Sequence, residues 1–179
     1  MGGLDQASDQ ALAAAAQEGS SAAFARVVER HQAAVRGFLR RLCGSHADAD
    51  DLAQETFVSA WTRIGSFRAG ESLRAWLCGV AYRKWLTHRR TQVRRGAREA
   101  KSVEEDAPGS AVSAPDARLD AATALAHLEP EPRACVALCL AAGFSHAEAA
   151  RALGLPVGTV KSHVARGKAK LLEILGGAA

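Results

Sequence analysis

Apolar residues recur at intervals of three and four positions over most of this chain, and no run alternates between apolar and polar residues. Between residues 24 and 42 the spacing defines one stripe, made of Phe24, Val27, Val28, His31, Val35, Phe38 and Leu42. This period indicates an amphipathic α-helix, which Gly44 is expected to end. Because β-branched residues are sparse and Ala, Leu, Arg and Glu dominate, the sequence predicts an all-α fold.

Two further helices are predicted before residue 98. The first begins within residues 46–51, where carboxylates complement the positive end of the helix dipole, and Gly65 and Ser66 break it. Its expected inner face is Ala53, Phe57, Ala60, Trp61 and Ile64. After Gly70, Ser72 is a plausible cap for a third helix, which runs through Trp76, Val80 and Trp85 to Arg90 or beyond. We expect these helices to share one core.

The periodicity disappears over residues 99–117, where Glu, Asp, Ser, Ala and two prolines predict a flexible linker. Beyond it, residues 119–128 predict a short helix, Pro130 and Pro132 separate the elements, and residues 133–142 predict a helix ending at Gly143. The predicted organisation is an N-terminal helical extension (1–20), a helical bundle (20–98), the linker (99–117) and a second small helical domain (118–179).

Residues 144–172 read FSHAEAARALGLPVGTVKSHVARGKAKLL and predict a helix-turn-helix. Ser145 and Glu148 form a capping box for a first helix. Gly154 can adopt the positive φ of a tight turn, and Pro156 is tolerated only near a helix start. Ala150 is small enough for the two helices to approach, and three residues are expected to face inward: Val160, Val164 and Leu171.

The other face of the second helix carries hydrogen-bond donors suited to base edges and phosphates in a major groove. Thr159, near the helix start, would suit a phosphate oxygen. The candidate DNA-binding residues are Thr159, Lys161, Ser162, His163, Arg166 and Lys170. An ordinary helical hairpin with a solvated basic face is the alternative.

Charge is distributed unevenly along the chain, although the formal net charge is only +4. Residues 83–98 carry seven cations and no acid, namely Arg83, Lys84, Arg89, Arg90, Arg94, Arg95 and Arg98. Acids gather at Asp48, Asp50, Asp51 and Glu55, and again at Glu104, Glu105 and Asp106. This asymmetry predicts that one part meets a polyanion and another a basic protein surface.

No apolar run is long enough to span a bilayer, and residues 1–10 do not resemble a secretory signal, so we expect a cytoplasmic protein without membrane insertion. The four cysteines, Cys43, Cys78, Cys135 and Cys139, lack CxxC spacing and are expected to be reduced and buried. Cys135 and Cys139 lie one helical turn apart, which leaves a metal or redox role conceivable. We find no phosphate loop, HExxH motif or nucleophile elbow, and expect no catalytic residue and no cofactor.

Three motifs together resemble the extracytoplasmic-function class of bacterial sigma factors, the dissociable subunits of RNA polymerase. They are DADDLAQETFVSAW (48–61), FRAGESLRAWLCGVAYRKWLTHRR (67–90) and GTVKSHVARGKAKL (158–171), and the resemblance runs from about residue 24 to residue 175 with a gap at the linker. It implies that the first domain is a sigma region 2 bundle and the second a region 4 helix-turn-helix, which would bind the minus-ten and minus-thirty-five promoter elements.

The resemblance also implies site residues and partners. The helix at residues 48–61 would dock on the clamp of the polymerase beta-prime subunit through Asp48, Asp51, Gln54 and Glu55. The loop at residues 65–73 would capture an unstacked minus-ten base and the next helix would hold the melted strand, which suits Phe67, Arg68, Trp76, Tyr82, Arg83, Lys84, Arg89 and Arg90. Further implied partners are the beta subunit, promoter DNA and an inhibitory anti-sigma factor that responds to stress.

The chain departs from the family pattern at two positions. Arg83 stands where an Asn usually follows the stretch resembling GVAY, and Thr87 replaces a frequent Asp, which leaves minus-ten readout open. Two functions other than that of a sigma factor remain open. A stand-alone helix-turn-helix repressor would explain residues 119–179 but not the acidic helix, whereas a metal sensor or enzyme would need His and Cys ligands.

Overall fold

The computed structural model describes residues 6–102 and 121–176, which are mostly helical and contain no strand. The helices are α1 (Asp9–Gln17), α2 (Ser21–Leu42), α3 (His46–Arg63), α4 (Leu73–Ser102), α5 (Ala121–Ala126), α6 (Pro130–Val136), α7 (His146–Leu153) and α8 (Val157–Gly176). A 3₁₀ turn (Ile64–Ser66) follows α3, and a π-helical turn (Ala137–Ala141) extends α6. The predicted all-α fold with two small helical domains is confirmed.

Helices α1 to α4 form the first domain around the stripe of α2. Ser20 and Ser45 cap α2 and α3 by accepting from backbone N–H groups three residues on, and the Ser72 hydroxyl accepts from the Ala75 N–H at 3.2 Å. The stripe is buried as predicted except at Val28, which is half-buried, and Val35 and Phe38 are at most 1% exposed. Local capping signals and apolar period therefore agree in placing these helices.

The inner face of α3 differs from the prediction. Ala53, Ala60 and Ile64 are buried, but Trp61 remains 36% exposed. Its ring packs against Phe24 at a tilt of 58°, with 5.0 Å between ring centroids. Thr56 is instead fully buried, because its hydroxyl donates to the Leu52 carbonyl within the same helix and needs no other partner. The buried face is thereby rotated toward the Leu52 and Thr56 side.

Helix α4 is longer than the linker prediction allowed. It continues to Ser102, so residues 99–102 are helical, and the predicted linker beyond them lies outside the described residues. In the second domain, the prolines do not precede α6: Pro130 is its first residue and Pro132 lies in its first turn, where a missing N–H costs nothing. Gly143 ends the π turn at φ +71°, as predicted.

The two domains pack against each other through one continuous apolar core. Helix α7 crosses α4 at Gly79, where a Cβ atom would lie 2.6 Å from the Ala152 carbonyl oxygen. Arg74 donates to the Ala142 carbonyl at 2.6 Å and stacks over the Phe144 ring at 4.5 Å. Arg133 of α6 donates to the Leu42 carbonyl at 3.2 Å, which joins the end of α2 to the second domain. Nothing in the sequence pattern indicated these contacts.

Candidate nucleic-acid and protein interfaces

The helix-turn-helix is formed by α7 and α8 and begins with the predicted capping box. Ser145 accepts from the Glu148 N–H at 3.2 Å, and the Glu148 carboxylate accepts from the Ser145 hydroxyl at 2.7 Å and the Ser145 N–H at 2.9 Å. These bonds lower the pKa of Glu148. Gly154 ends α7 at φ +70°, and the Leu155 N–H reaches the Ala150 carbonyl. The turn that orients α8 is therefore defined by local chemistry.

The candidate reading residues do not all share one side of α8. At 3.6 residues per turn, Arg166 shares a narrow stripe with Thr159, Ser162, His163 and Lys170, whereas Lys161 lies about 140° around the helix from Arg166. Arg166, Ser162 and Lys170 are exposed, and Thr159 is half-buried. The His163 side chain is only 14% exposed, with Nε2 3.5 Å from a Glu131 carboxylate oxygen of α6. The structure thus groups Arg166 with Ser162 and Lys170 as the open part of this face.

The loop after α3 holds the candidate minus-ten residues Phe67 and Arg68. Phe67 is 5% exposed and meets Trp76 edge to face, with 5.9 Å between ring centroids. Arg68 is exposed, and the turn is closed by the Glu71 N–H, which donates to the Arg68 carbonyl at 3.2 Å. Phe67 therefore packs on the buried side of the loop, and Arg68 and the backbone around Gly70 form its solvent-exposed side.

Tyr82 lies under the second domain. It is 4% exposed, and its ring stacks on Trp85 at 6.0 Å between centroids, with Arg133 5.9 Å from the Trp85 ring. Burial, together with Glu131 and Cys135, raises the pKa of Tyr82 to about 12. Tyr82 can stack on a base only if the two domains separate, because the second domain covers its ring.

Four candidate cations lie along α4 without sharing one side, since at 3.6 residues per turn Arg89 lies about 120° around the helix from Arg83. Arg83, Arg89 and Arg90 are exposed, and Lys84 is half-buried with Nζ 3.3 Å from a Glu55 carboxylate oxygen. Burial and the neighbouring Arg63 lower the pKa of Arg83. A phosphate beside Arg83 would relieve the repulsion between these two guanidinium groups, which suits the backbone of a single strand.

The basic middle part of α4 and the exposed cations of α8 line the same open cleft. Arg89 and Arg90 lie on one side of it, and Arg166 and Lys170 lie on the other, with Leu86 and Pro132 among the apolar lining residues. Bringing these cations together across a cleft concentrates positive potential there. Glu129 and Glu131 also line the cleft, but the four cations outnumber them, so the cleft is suited to an anionic molecule that contacts both domains.

The candidate polymerase contacts lie along one side of α3. Asp51, Gln54 and Glu55 are exposed on one face, and Val58, which the sequence analysis missed, extends that face with 68% of its surface exposed. Asp48 lies on the same side nearer the start of the helix, but it is half-buried, with one carboxylate oxygen 3.7 Å from His88 Nε2. Asp50 faces α2 instead, where the Arg36 and Arg40 guanidinium groups lie 3.1 and 3.4 Å away. We name the group Asp51, Gln54, Glu55 and Val58 the α3 face.

Comparison with known proteins identifies the family. Sigma-70 region 2 matches residues 27–95, and Sigma-70 region 4 matches residues 118–171. The RNA polymerase sigma factor NccH of Alcaligenes xylosoxydans xylosoxydans is 35% identical over 96% of this chain and 96% of its own length. The extracytoplasmic-function sigma factor SigM of Mycobacterium tuberculosis is 33% identical over 98% of this chain and 88% of its own length. The chain belongs to the extracytoplasmic-function sigma factors.

Two solved sigma factors resemble this one in fold. RpoE of Bartonella quintana, solved with the anti-sigma factor NepR, superimposes with a TM-score of 0.71 at 31% identity and covers 86% of this chain and 96% of its own. CnrH, solved with the cytosolic domain of CnrY, superimposes with a TM-score of 0.72 at 28% identity over 96% of this chain and 99% of its own. The α3 face and the α8 helix-turn-helix of this sigma factor fall within the matched regions 2 and 4, respectively.

The cysteines of this sigma factor lie in apolar surroundings. Burial raises the pKa of Cys43 to about 11 and the pKa values of Cys78 and Cys135 to about 12, and it also raises the pKa of Cys139. Thiols in such surroundings are poor nucleophiles and poor metal ligands, because both roles need the thiolate. Within residues 6–102 and 121–176, no three His, Cys, Asp or Glu side chains are grouped around a possible metal position.

Sigma factors in general are not enzymes. Among the described helices of this one, none combines the length and apolar character needed to cross a bilayer.

Proposed function

We propose that this sigma factor binds core RNA polymerase through the α3 face and directs initiation at promoters whose minus-thirty-five element it reads with α8. The supporting observation is that one chain carries both surfaces: an exposed acidic face with an apolar residue at its end, and a helix-turn-helix with open cations. Carboxylates repel DNA but suit a basic protein surface. Membership of this family supports the clamp of the beta-prime subunit as that protein, with a further contact to the beta subunit.

The minus-ten part of the proposal assigns the loop 64–72 and α4 to the opened strand. Arg68, Arg83, Arg89 and Arg90 would hold phosphates, and Lys84 would join them once Glu55 is engaged elsewhere. Phe67, Trp76 and Tyr82 are aromatic neighbours of this path, and a base could stack on them after the loop or the domains move. Asp48 would support the α3 face from its edge.

Run-off transcription with core polymerase tests this function. Arg166→Ala removes an exposed donor of the reading face, and Lys168→Ala removes an equal charge from another side of the same helix. We expect Arg166→Ala to relax preference for the minus-thirty-five sequence by about 5- to 150-fold, since a good base contact is worth about 1–3 kcal/mol. Lys168→Ala should leave that preference unchanged.

The same assay tests the α3 face. Asp51→Ala should lower affinity for core polymerase without altering duplex DNA binding, whereas Glu29→Ala, an exposed acid on α2, should change neither. Normal initiation by both Arg166→Ala and Asp51→Ala would overturn the proposal. Wild-type protein that blocks transcription at its site and never supports initiation would instead be a stand-alone regulator.

We also propose control by an anti-sigma factor, as in the solved complexes of RpoE with NepR and CnrH with CnrY. The cleft between α4 and α8 favours this, because an acidic partner seated there would mask Arg89 and Arg166 together. Such a protein would act in the cytoplasm, associate with the nucleoid when active, and be held at the membrane if its anti-sigma factor is. Affinity purification from cells that recovers polymerase but no small inhibitory protein under any condition would contradict this control.

A further inference from the structure

Helix α1 precedes the region matched to the family, which begins at residue 27, and it contacts the loop after α3 through two glutamine side chains. We propose that Gln10 and Gln17 are positioning residues that hold the loop 64–72 in the shape that reads the minus-ten base. This inference rests on the proposed function, since it concerns how the minus-ten reader is held.

Gln17 makes the stronger of the two attachments. Its side-chain nitrogen donates both hydrogens to the loop, one to the Ile64 carbonyl at 2.9 Å and one to the Phe67 carbonyl at 2.8 Å. These carbonyls follow α3, where the backbone leaves the helix and its acceptors lose intrahelical partners. A single amide thus binds both ends of the first bend of the loop.

Gln10 holds the second bend. Its nitrogen donates to the Glu71 carbonyl at 2.8 Å, and its oxygen accepts from the Gly70 N–H at 3.2 Å. Gly70 has φ +85°, a backbone conformation that side chains other than glycine rarely adopt. One amide therefore satisfies a donor and an acceptor on either side of the tightest point of the loop.

Helix α1 is rigid enough to serve as this support. Leu12, Ala13 and Ala16 are at most 2% exposed against the core, and Ser8 caps the helix by accepting from the Ala11 N–H at 3.2 Å. The loop has few backbone hydrogen bonds of its own. The Phe67 N–H donates to the Ile64 carbonyl at 3.0 Å, and the Glu71 N–H donates to the Arg68 carbonyl. A site that accepts a base in only one geometry binds it more tightly when the free protein already has that geometry.

The chemistry of Gln17 predicts which substitutions fail. Because both of its partners are carbonyl oxygens, the residue must donate; Gln17→Glu places a carboxylate against two acceptors, whereas Gln17→Lys keeps donors on a side chain of similar reach. The order of function should therefore be wild type, then Lys, then Ala and Glu. Glu18→Ala, an exposed neighbour at the end of the same helix, is the matched control.

The experiment measures base preference at the minus-ten element with holoenzyme on fork-junction DNAs, which carry each of the four bases at the unpaired position. Core binding and melting temperature are measured beside it. One base of a site is commonly worth about 1–3 kcal/mol, a preference of about 5- to 150-fold, so we expect Gln17→Ala to lower this preference by about tenfold. Gln10→Ala should have a smaller effect, Gln17→Lys should restore part of it, and Glu18→Ala should match wild type.

The outcomes separate the two proposals. If wild-type protein shows no preference at the unpaired base and no initiation, the proposed function fails. If wild type shows the preference and Gln17→Ala and Gln17→Glu retain it, the positioning role is overturned. It is equally overturned if the glutamine variants lose core binding and thermal stability in proportion to base preference, because the glutamines would then only support the fold.

Discussion

His31 is the one histidine among the described residues that faces the core, on the apolar stripe of α2. Its Nε2 atom lies 3.0 Å from an Asp9 carboxylate oxygen, and its side chain is 7% exposed. Burial lowers the pKa of the imidazole below its ordinary value of 6.5; Asp9 opposes this shift, whereas Arg30 and Arg74 reinforce it. Burial is the larger effect, so the folded protein favours the neutral ring.

This direction makes folding stability depend on pH. Because the folded pKa of His31 lies below 6.5, the unfolded chain binds the proton more readily. The stability that neutral His31 contributes to the folded protein is fully present above the unfolded pKa, and it is lost as the pH falls through the folded pKa. We expect the melting temperature of wild type to be lower at about pH 5.5 than at about pH 7.5.

Melting curves at both pH values check this, with His31→Leu as the test variant and His46→Gln, an exposed histidine, as control. His31→Leu should show a smaller drop than wild type, and His46→Gln should show the same drop. An equal drop in all three proteins would mean that other groups carry the pH dependence.

At the scale of elements, α8 passes α6 at Gly167. A Cβ atom there would lie 2.6 Å from Val136 Cγ2, and Val136 is itself 3% exposed and stiff about χ1. Gly158 lies on the same helix with nothing within 4 Å of its Cβ position. The two glycines thus separate the packing effect of a methyl group from its effect on helix formation.

We expect Gly158→Ala to leave the free energy of unfolding unchanged or to raise it by up to about 1 kcal/mol, because alanine favours helix. Gly167→Ala should be less stable than Gly158→Ala by about 1–3 kcal/mol, the usual cost of forcing a group into a packed interior. Urea denaturation of both variants measures the difference. Equal stability of the two variants would show that α6 and α8 accommodate the added methyl group without a loss of folding free energy.

Elements of this kind show what the sequence could predict. The start of α7 at Ser145 and Glu148 and its end at Gly154 depend on bonds within a few residues, so the pattern indicated them correctly. Trp61 was wrongly assigned to the inner face of α3, because an apolar period cannot show that Thr56 satisfies its own hydroxyl and takes the core position. The contacts of Gln10 and Gln17 join residues far apart in sequence, and no local signal reports them.

In the candidate sites, too, the sequence indicated what a single element determines and missed what depends on packing between elements. Exposure of Arg166 and Asp51 followed from helical period and charge, which are properties of single elements. The burial of Tyr82 depends on how the second domain lies on the first, and the position of His163 against Glu131 depends on how α8 packs on α6. The sequence could therefore name these residues but not their surroundings. Val58 was missed because an exposed valine on an acidic face has no local signature.

At the scale of the molecule, the packed arrangement conflicts with reading two promoter elements at once. The minus-ten and minus-thirty-five positions lie about 25 base pairs apart, which is about 85 Å along a duplex at about 3.4 Å per base pair. Here α7 touches α4 directly at Gly79, and Arg74 and Arg133 join the domains as well. Under the proposed function, the domains must therefore separate when the factor assembles with polymerase on DNA.

Gly79 offers a direct test of that separation. A methyl group on Gly79 would meet the Ala152 backbone oxygen at 2.6 Å, and since backbone cannot rotate away, α7 must move off α4. Gly96 lies on the same helix with open space at its Cβ position, so Gly96→Ala carries the same gain in helix propensity without the clash.

Small-angle X-ray scattering should show a radius of gyration several ångströms larger for Gly79→Ala than for Gly96→Ala, against about 16 Å for a compact chain of this length. Because the proposed function requires the opened form to read DNA, Gly79→Ala should also initiate transcription at least as well as wild type. Identical scattering from the two variants would contradict the close packing of α4 and α7, and expansion with loss of initiation would show that the packed arrangement is needed for function.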